Sequence, residues 1–199
     1  KDGFLYISAS HNPIGHNGLK FGLNDGGVLN AEENAKLVAR FEAKLTAASS
    51  PEAAAVLTDS CNEQDVEWLY AEKAATKQLA LMQYRAFAKE VVTGANNVAE
   101  QNKMLASIRR AVCAKPLGVL CDMTGSARTL SLDSSFLADC SIAFHAVNNA
   151  PGQIVHAIIP EPENLEWCAH EMERLHSMGK TDVMLGYMPD CDGDRGNIV

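Results

Sequence analysis

Two short stretches hold the side chains whose types and spacing suit chemistry. Pro189-Asp190-Cys191-Asp192-Gly193-Asp194-Arg195 sets three carboxylates on alternate residues directly after an apolar run. Unneutralised, three such groups repel one another, and hard oxygen ligands at this density are what Mg²⁺ or Ca²⁺ takes. Taken by itself the same motif also fits a solvated acidic turn. The second stretch is Ser8-Ala9-Ser10-His11-Asn12-Pro13. A serine hydroxyl is a weak nucleophile and needs a base, a metal or charge stabilisation. His11 stands beside Ser10, and Lys20, across the loop, can offset phosphate charge or shuttle a proton.

Several neighbouring readings fail on the letters. An EF-hand loop that opens D-x-D-x-D requires Gly at its sixth position, where Arg195 stands. A haloacid-dehalogenase-type loop wants Thr or Val two residues past its second Asp, and Asp194 occupies that place. A Ser-His pair alone is a common loop, and no G-x-S-x-G elbow is present to suggest an esterase.

The elements that must carry these stretches are legible from periodicity. Phe4 to Ile7 reads as a strand, Ser8 to Gly18 as a loop and Leu19 to Leu23 as a second strand. Asn30 and Glu33 have capping-box spacing, and Leu37, Val38, Phe41 and Leu45 then recur at helical intervals. Residues 47–55, centred on Ser49-Ser50-Pro51, read as a loop; 65–89 and 98–112 read as helices around a break at Gly94 to Asn97. From Pro116 strands and helices alternate. Strands are expected at 117–121, 141–147 and 183–188, and helices at 127–138 and 163–178, the last with Trp167, Met172 and Leu175 on or near its inner face. Gly196 to Val199 is where another strand can begin. Such alternation predicts α/β layers with ligand loops at the carboxyl ends of strands.

Composition narrows the class. The 199 residues are 47% apolar and carry a net charge of −8, enough chain for one large domain or two small ones and too acidic for a broad nucleic-acid face. No apolar run reaches the roughly 18 residues of a membrane span, and the start does not resemble a signal peptide. Six cysteines without a CxxC pair suggest neither a zinc site nor a disulfide scaffold, and fit thiols of a reducing cytoplasm. The apolar segment that follows Lys1 so closely, and the strand beginning at the other end, suggest a piece of a longer protein.

Taken together, SASHNP, then Asn17-Gly18-Leu19-Lys20-Phe21, then DCDGDR about 180 residues later resemble the α-D-phosphohexomutase superfamily of phosphoglucomutases, phosphomannomutases and phosphoglucosamine mutases. Pro160-Glu161-Pro162-Glu163-Asn164-Leu165 is similar to that family's P-E-P-x-x-x-L stretch, and Asp122 to Gly125 to the D-x-x-x-G end of a strand. Ser8 and Cys191 depart from the usual letters without touching a functional group, and residues 47–110 match by position only.

The resemblance implies an α/β fold, layered helices on mixed sheets: the later part of domain 1 over residues 1–75 and most of domain 2 over 76–199, in a four-domain phosphohexomutase. It implies that Ser10 carries a phosphoryl group and that Mg²⁺ is held by that group with Asp190, Asp192 and Asp194. His11, Lys20 and Arg195 would stand around the phosphate, Lys20 moving a proton and Arg195 stabilising charge. The implied reaction interconverts hexose 1-phosphate and hexose 6-phosphate through a hexose 1,6-bisphosphate. Sugar recognition would lie in domains absent from this chain, so the chain alone is expected to be inactive, and an exposed strand edge would favour self-association. No nucleic-acid or membrane partner is implied. The rival reading is a non-catalytic metal-binding module that keeps both loops.

Overall fold

The computed structural model describes residues 3–159 and 161–199; Lys1, and Pro160 of the Pro-Glu-Pro stretch, lie outside the described residues. The chain divides into two units, Lys1–Ser8 with Asn17–Leu79, and Ala9–His16 with Ala80–Val199.

In the first unit β1 (Gly3–Ile7) and β2 (Leu19–Leu23) form an antiparallel ladder with Tyr6 opposite Lys20. Three helices follow: α1 (Ala31–Thr46), α2 (Ser50–Asp59) and the first part of α3 (Glu63–Thr93). The start of α1 is the expected capping box. Asn30 Oδ1 accepts the Glu33 N–H at 3.0 Å, and Glu33 Oε2 accepts the Asn30 N–H at 3.4 Å. The loop expected over 47–55 is largely α2 instead. Pro51 falls in the first turn, where a missing N–H costs nothing, and the alanines behind it favour helix. Among the described residues of this unit only Gly22 is buried. The apolar stripe of α1 (Leu37, Val38, Phe41) instead lines an open groove of about 550 Å³ with Leu19 and Phe21 of β2.

The second unit holds the rest of α3, then α4 (Val98–Ala114), whose first turn is capped by Asn97 Oδ1 accepting the Glu100 N–H at 2.9 Å. Its sheet is built from β3 (Gly118–Asp122), β4 (Ala143–Val147), β5 (Val183–Pro189) and β6 (Gly196–Ile198), in the order β4-β3-β5-β6. β3 is parallel to both β4 and β5, and β6 runs antiparallel to β5. The architecture is an α/β fold with a mixed sheet. β3, flanked on both sides, is buried along its whole length. Between β3 and β4 lies α5 (Asp133–Asp139), and between β4 and β5 lies α6 (Pro162–Ser177).

One helix was expected over 127–138; the chain forms a 3-10 turn at Ala127–Leu130 and only then α5. Ser126 Oγ accepts the Arg128 N–H at 3.3 Å, and the Ser131 N–H turns back to the Arg128 carbonyl at 2.9 Å. Such local bonds from a Ser-rich segment compete with the helical ladder. Helix α6 lays Cys168 and Leu175 against Leu120 and Val183, with Met172 alongside. Gly186 permits that approach, since a Cβ there would stand 2.6 Å from Met172 Sδ and 2.9 Å from Cys168 Sγ. Trp167 does not turn inward as expected. It is 52% exposed, and its ring stacks on the His156 imidazole at 5.6 Å.

All six cysteines are free. Burial pushes the Cys121 thiol up to about 12 and the Cys168 thiol up to about 11. Among the described residues no helix is long and apolar enough to cross a membrane.

Candidate functional site

The strap Ala9–His16, which belongs to the second unit, meets the loop that follows β5. The strap turns sharply: the Asn12 N–H donates to the Ala9 carbonyl at 3.1 Å, and Ser10 inside that turn has φ +52°. A left-handed backbone at a residue other than glycine costs of order 1–3 kcal/mol and persists only where the surroundings enforce it. Here it accompanies a long-range contact, Ser10 Oγ donating to Asp190 Oδ2 at 3.2 Å across 180 residues of sequence.

The acidic loop curls around Asp190. This residue is fully buried, and its Oδ1 accepts the N–H groups of Gly193 at 2.9 Å and Arg195 at 3.2 Å. The curl brings one carboxylate oxygen from each of Asp190, Asp192 and Asp194 within 4.8 Å of one another, graded from buried to exposed. Three hard anionic oxygens so close, open to solvent on one side and joined by the Ser10 hydroxyl, fit a divalent cation of the Mg²⁺ or Ca²⁺ class. The Cys191 thiol is pushed up first by burial and then by the neighbouring Asp190 and Asp192 carboxylates.

Hydrogen bonding assigns the His11 tautomer. Because the single Ser10 proton goes to Asp190, the 3.2 Å contact between Ser10 Oγ and His11 Nδ1 requires Nδ1 to donate. Nε2 is then left to accept from Arg195 Nη1 at 3.4 Å. A single run of donors therefore links Arg195, His11, Ser10 and Asp190. In this arrangement His11 is a hydrogen-bond donor to the serine oxygen, a part suited to holding charge there.

Six of the seven expected site residues are thus described within one unit: Ser10, His11, Asp190, Asp192, Asp194 and Arg195. Lys20 belongs to the hairpin unit, where its Nζ stands 5.6 Å from the centroid of the Tyr6 ring. Sequence reasoning missed Glu161, which lines a polar hollow of about 490 Å³ with Asp194, Arg195 and Asn197. The signal was present, since Glu161 lies in the Pro-Glu-Pro stretch. It also missed His156, whose Nε2 meets the buried Asp122 carboxylate at 2.7 Å; nothing in a 34-residue separation announces that pair.

Residues 1–48 match the family model for phosphoglucomutase/phosphomannomutase, alpha/beta/alpha domain I. Over that segment the chain is similar to the phosphoglucomutase/phosphomannomutase family. Among solved structures it is similar to a phosphoglucomutase/phosphomannomutase family protein from Burkholderia thailandensis, at 17% identity and a TM-score of 0.46. That similarity covers 98% of this chain and 32% of the other, so the chain spans about a third of that relative's length. No curated protein matches. The family segment contains Ser10, His11 and Lys20, whereas the acidic loop lies outside it.

Proposed function

We propose that this chain carries the phosphoserine and metal loops of a phosphohexomutase, an enzyme that moves a phosphoryl group between the 1- and 6-positions of a hexose through a hexose 1,6-bisphosphate. The observation that carries the reading is the hydrogen bond from Ser10 to Asp190, which joins the hydroxyl of the family segment to the acidic loop. On this reading residues 1–75 and 76–199 are parts of the family's first and second domains.

Ser10 is the residue that bears the phosphoryl group. Asp190, Asp192 and Asp194, with an oxygen on Ser10, are the ligands for Mg²⁺, which supplies charge neutralisation to the phosphoryl group when bound. His11 Nδ1–H and the Arg195 guanidinium are donors for developing charge on the transferred oxygens. Lys20 is assigned the proton transfer to or from the sugar hydroxyl. Phosphoryl transfer asks chiefly for positioning and charge stabilisation, which is what this set of residues offers.

Incubation of the full-length protein with a hexose 1,6-bisphosphate and Mg²⁺ followed by intact-mass measurement tests the reading. A single phosphate adduct is expected, absent in Ser10→Ala. An unmodified full-length protein, with metal still bound, would favour a metal-binding module without catalysis.

A further inference from the structure

The loops after β3 and β5 stand at the carboxyl ends of adjacent parallel strands. The chain leaves β3 toward β4 on one side while β5 lies on the other, which makes this the crevice where ligands bind in open α/β sheets. Two features of the acidic loop meet there. Gly193 sits between two of the carboxylates with φ +77°, a conformation that disfavours any side chain. A Cβ at Gly193 would also stand 2.9 Å from Arg128 Cδ, 3.2 Å from Nε and 3.2 Å from Nη1. The Arg128 side chain therefore lies flat against the middle of the acidic loop.

That side chain is itself held. Arg128 Nη2 bonds both carboxylate oxygens of Asp133 at 2.8 Å, a pair largely withdrawn from solvent at 18% and 12% side-chain exposure. Tyr187, on β5 below the loop, donates its hydroxyl to Asp133 Oδ1 at 3.3 Å. Arg128 Nε is buried without a hydrogen-bond partner. Burying a donor unmet is costly, and the unmet Nε is among the atoms nearest the Cβ position of Gly193.

From these contacts we infer that Arg128, anchored by Asp133, is a positioning residue for the metal loop: it braces Gly193 so that Asp190, Asp192 and Asp194 stay converged before a cation arrives. The inference rests on the reading of that loop as a divalent-cation site. Residues that orient ligands without touching the ion usually contribute roughly 10–100-fold to metal affinity.

Mn²⁺ titration of the full chain, followed by the electron paramagnetic resonance signal of free ion, provides the test. Arg128→Met and Asp133→Asn are expected to weaken binding roughly 10–100-fold and to speed hydrogen exchange at the Gly193 and Arg195 amides of metal-free protein. Leu175→Ala, a core change remote from the loop, is expected to lower stability and leave Mn²⁺ affinity unchanged. Asp192→Asn separates the two layers of argument. If it too binds like the parent, the cation-site reading itself has failed. If Asp192→Asn weakens binding while Arg128→Met stays within about twofold of the parent, the brace is overturned and the cation site stands. An equal loss in Leu175→Ala would also overturn it, as a mere effect of stability. Should Arg128→Met not fold, Asp133→Asn, which keeps the guanidinium and loosens its anchor, carries the same comparison.

Discussion

At Asp190 one carboxylate serves two loops: one oxygen accepts backbone N–H groups of its own turn and the other accepts the Ser10 hydroxyl. The ion that fits here depends on charge as much as on shape. Asp192→Asn removes one of three formal negative charges while keeping volume, so Mg²⁺ affinity measured by titration calorimetry should fall; an unchanged value would refute the ligand assignment. A second residue-scale prediction concerns pH. The Cys168 thiol, raised to about 11 by burial first and the Asp122 carboxylate next, stays protonated in the folded chain while an unfolded thiol ionises near its ordinary 9.0. Stability from this group is complete below that ordinary value and is lost as pH rises toward about 11, because only the folded state keeps the proton. Urea unfolding on either side of the window should show the decline, and Cys168→Ala should flatten it; Cys121 acts in the same direction.

Among the elements, helix starts were legible because capping is local. Asn30 and Glu33 find each other three residues apart, so their letters suffice. Asn30→Ala is expected to cost about 1 kcal/mol of local helix stability, read as increased amide exchange in the first turn of α1. Two elements were misread for a related reason. Around Ser49-Ser50-Pro51 the turn-forming letters are also acceptable in a first helical turn, and only the following alanines decide. Around Ser126 to Leu132 helix-compatible letters yield to side-chain hydrogen bonds that end the first turn early. The strand β3 is the strongest element of its unit, and Leu120 on it is 1% exposed. Leu120→Ala should cost about 2–5 kcal/mol in denaturant unfolding.

The molecule as a whole is uneven. Its second unit has a buried core around Leu120, Val183, Cys168 and Leu175, whereas Gly22 is the one buried residue among those described in the first. Phe4, Leu5, Tyr6 and Ile7 on β1 are all at least 40% exposed. A two-stranded ladder with apolar side chains open to water is a template for pairing. Sedimentation velocity should therefore show concentration-dependent association, reduced by Ile7→Lys; a monomer at all concentrations would count against this. On the proposed reading, which expects sugar recognition outside these residues, and because remote substrate contacts commonly do the positioning in catalysis, a coupled mutase assay on this chain alone should show no turnover. Turnover approaching that of an intact phosphohexomutase would count against that division of labour.

What the sequence determined by itself was the set of reactive side chains in each short loop. Residue types at fixed spacing, Asp190, Asp192 and Asp194 in one and Ser10 with His11 in the other, are local facts that need no fold. The strand before each loop was equally readable, since a short apolar run between turn residues is a local signal. Only the tertiary structure decided that Ser10 donates to Asp190, that His11 carries its proton on Nδ1, and that Arg128 lies on Gly193. Each of these depends on the β4-β3-β5-β6 order, which brings the ends of β3 and β5 together, and on the strap that Ala9–His16 contributes to that unit. Strand order and a strap joined across 180 residues follow from which faces bury one another. No spacing within the sequence encodes that choice, because it is made by the packing of the whole unit.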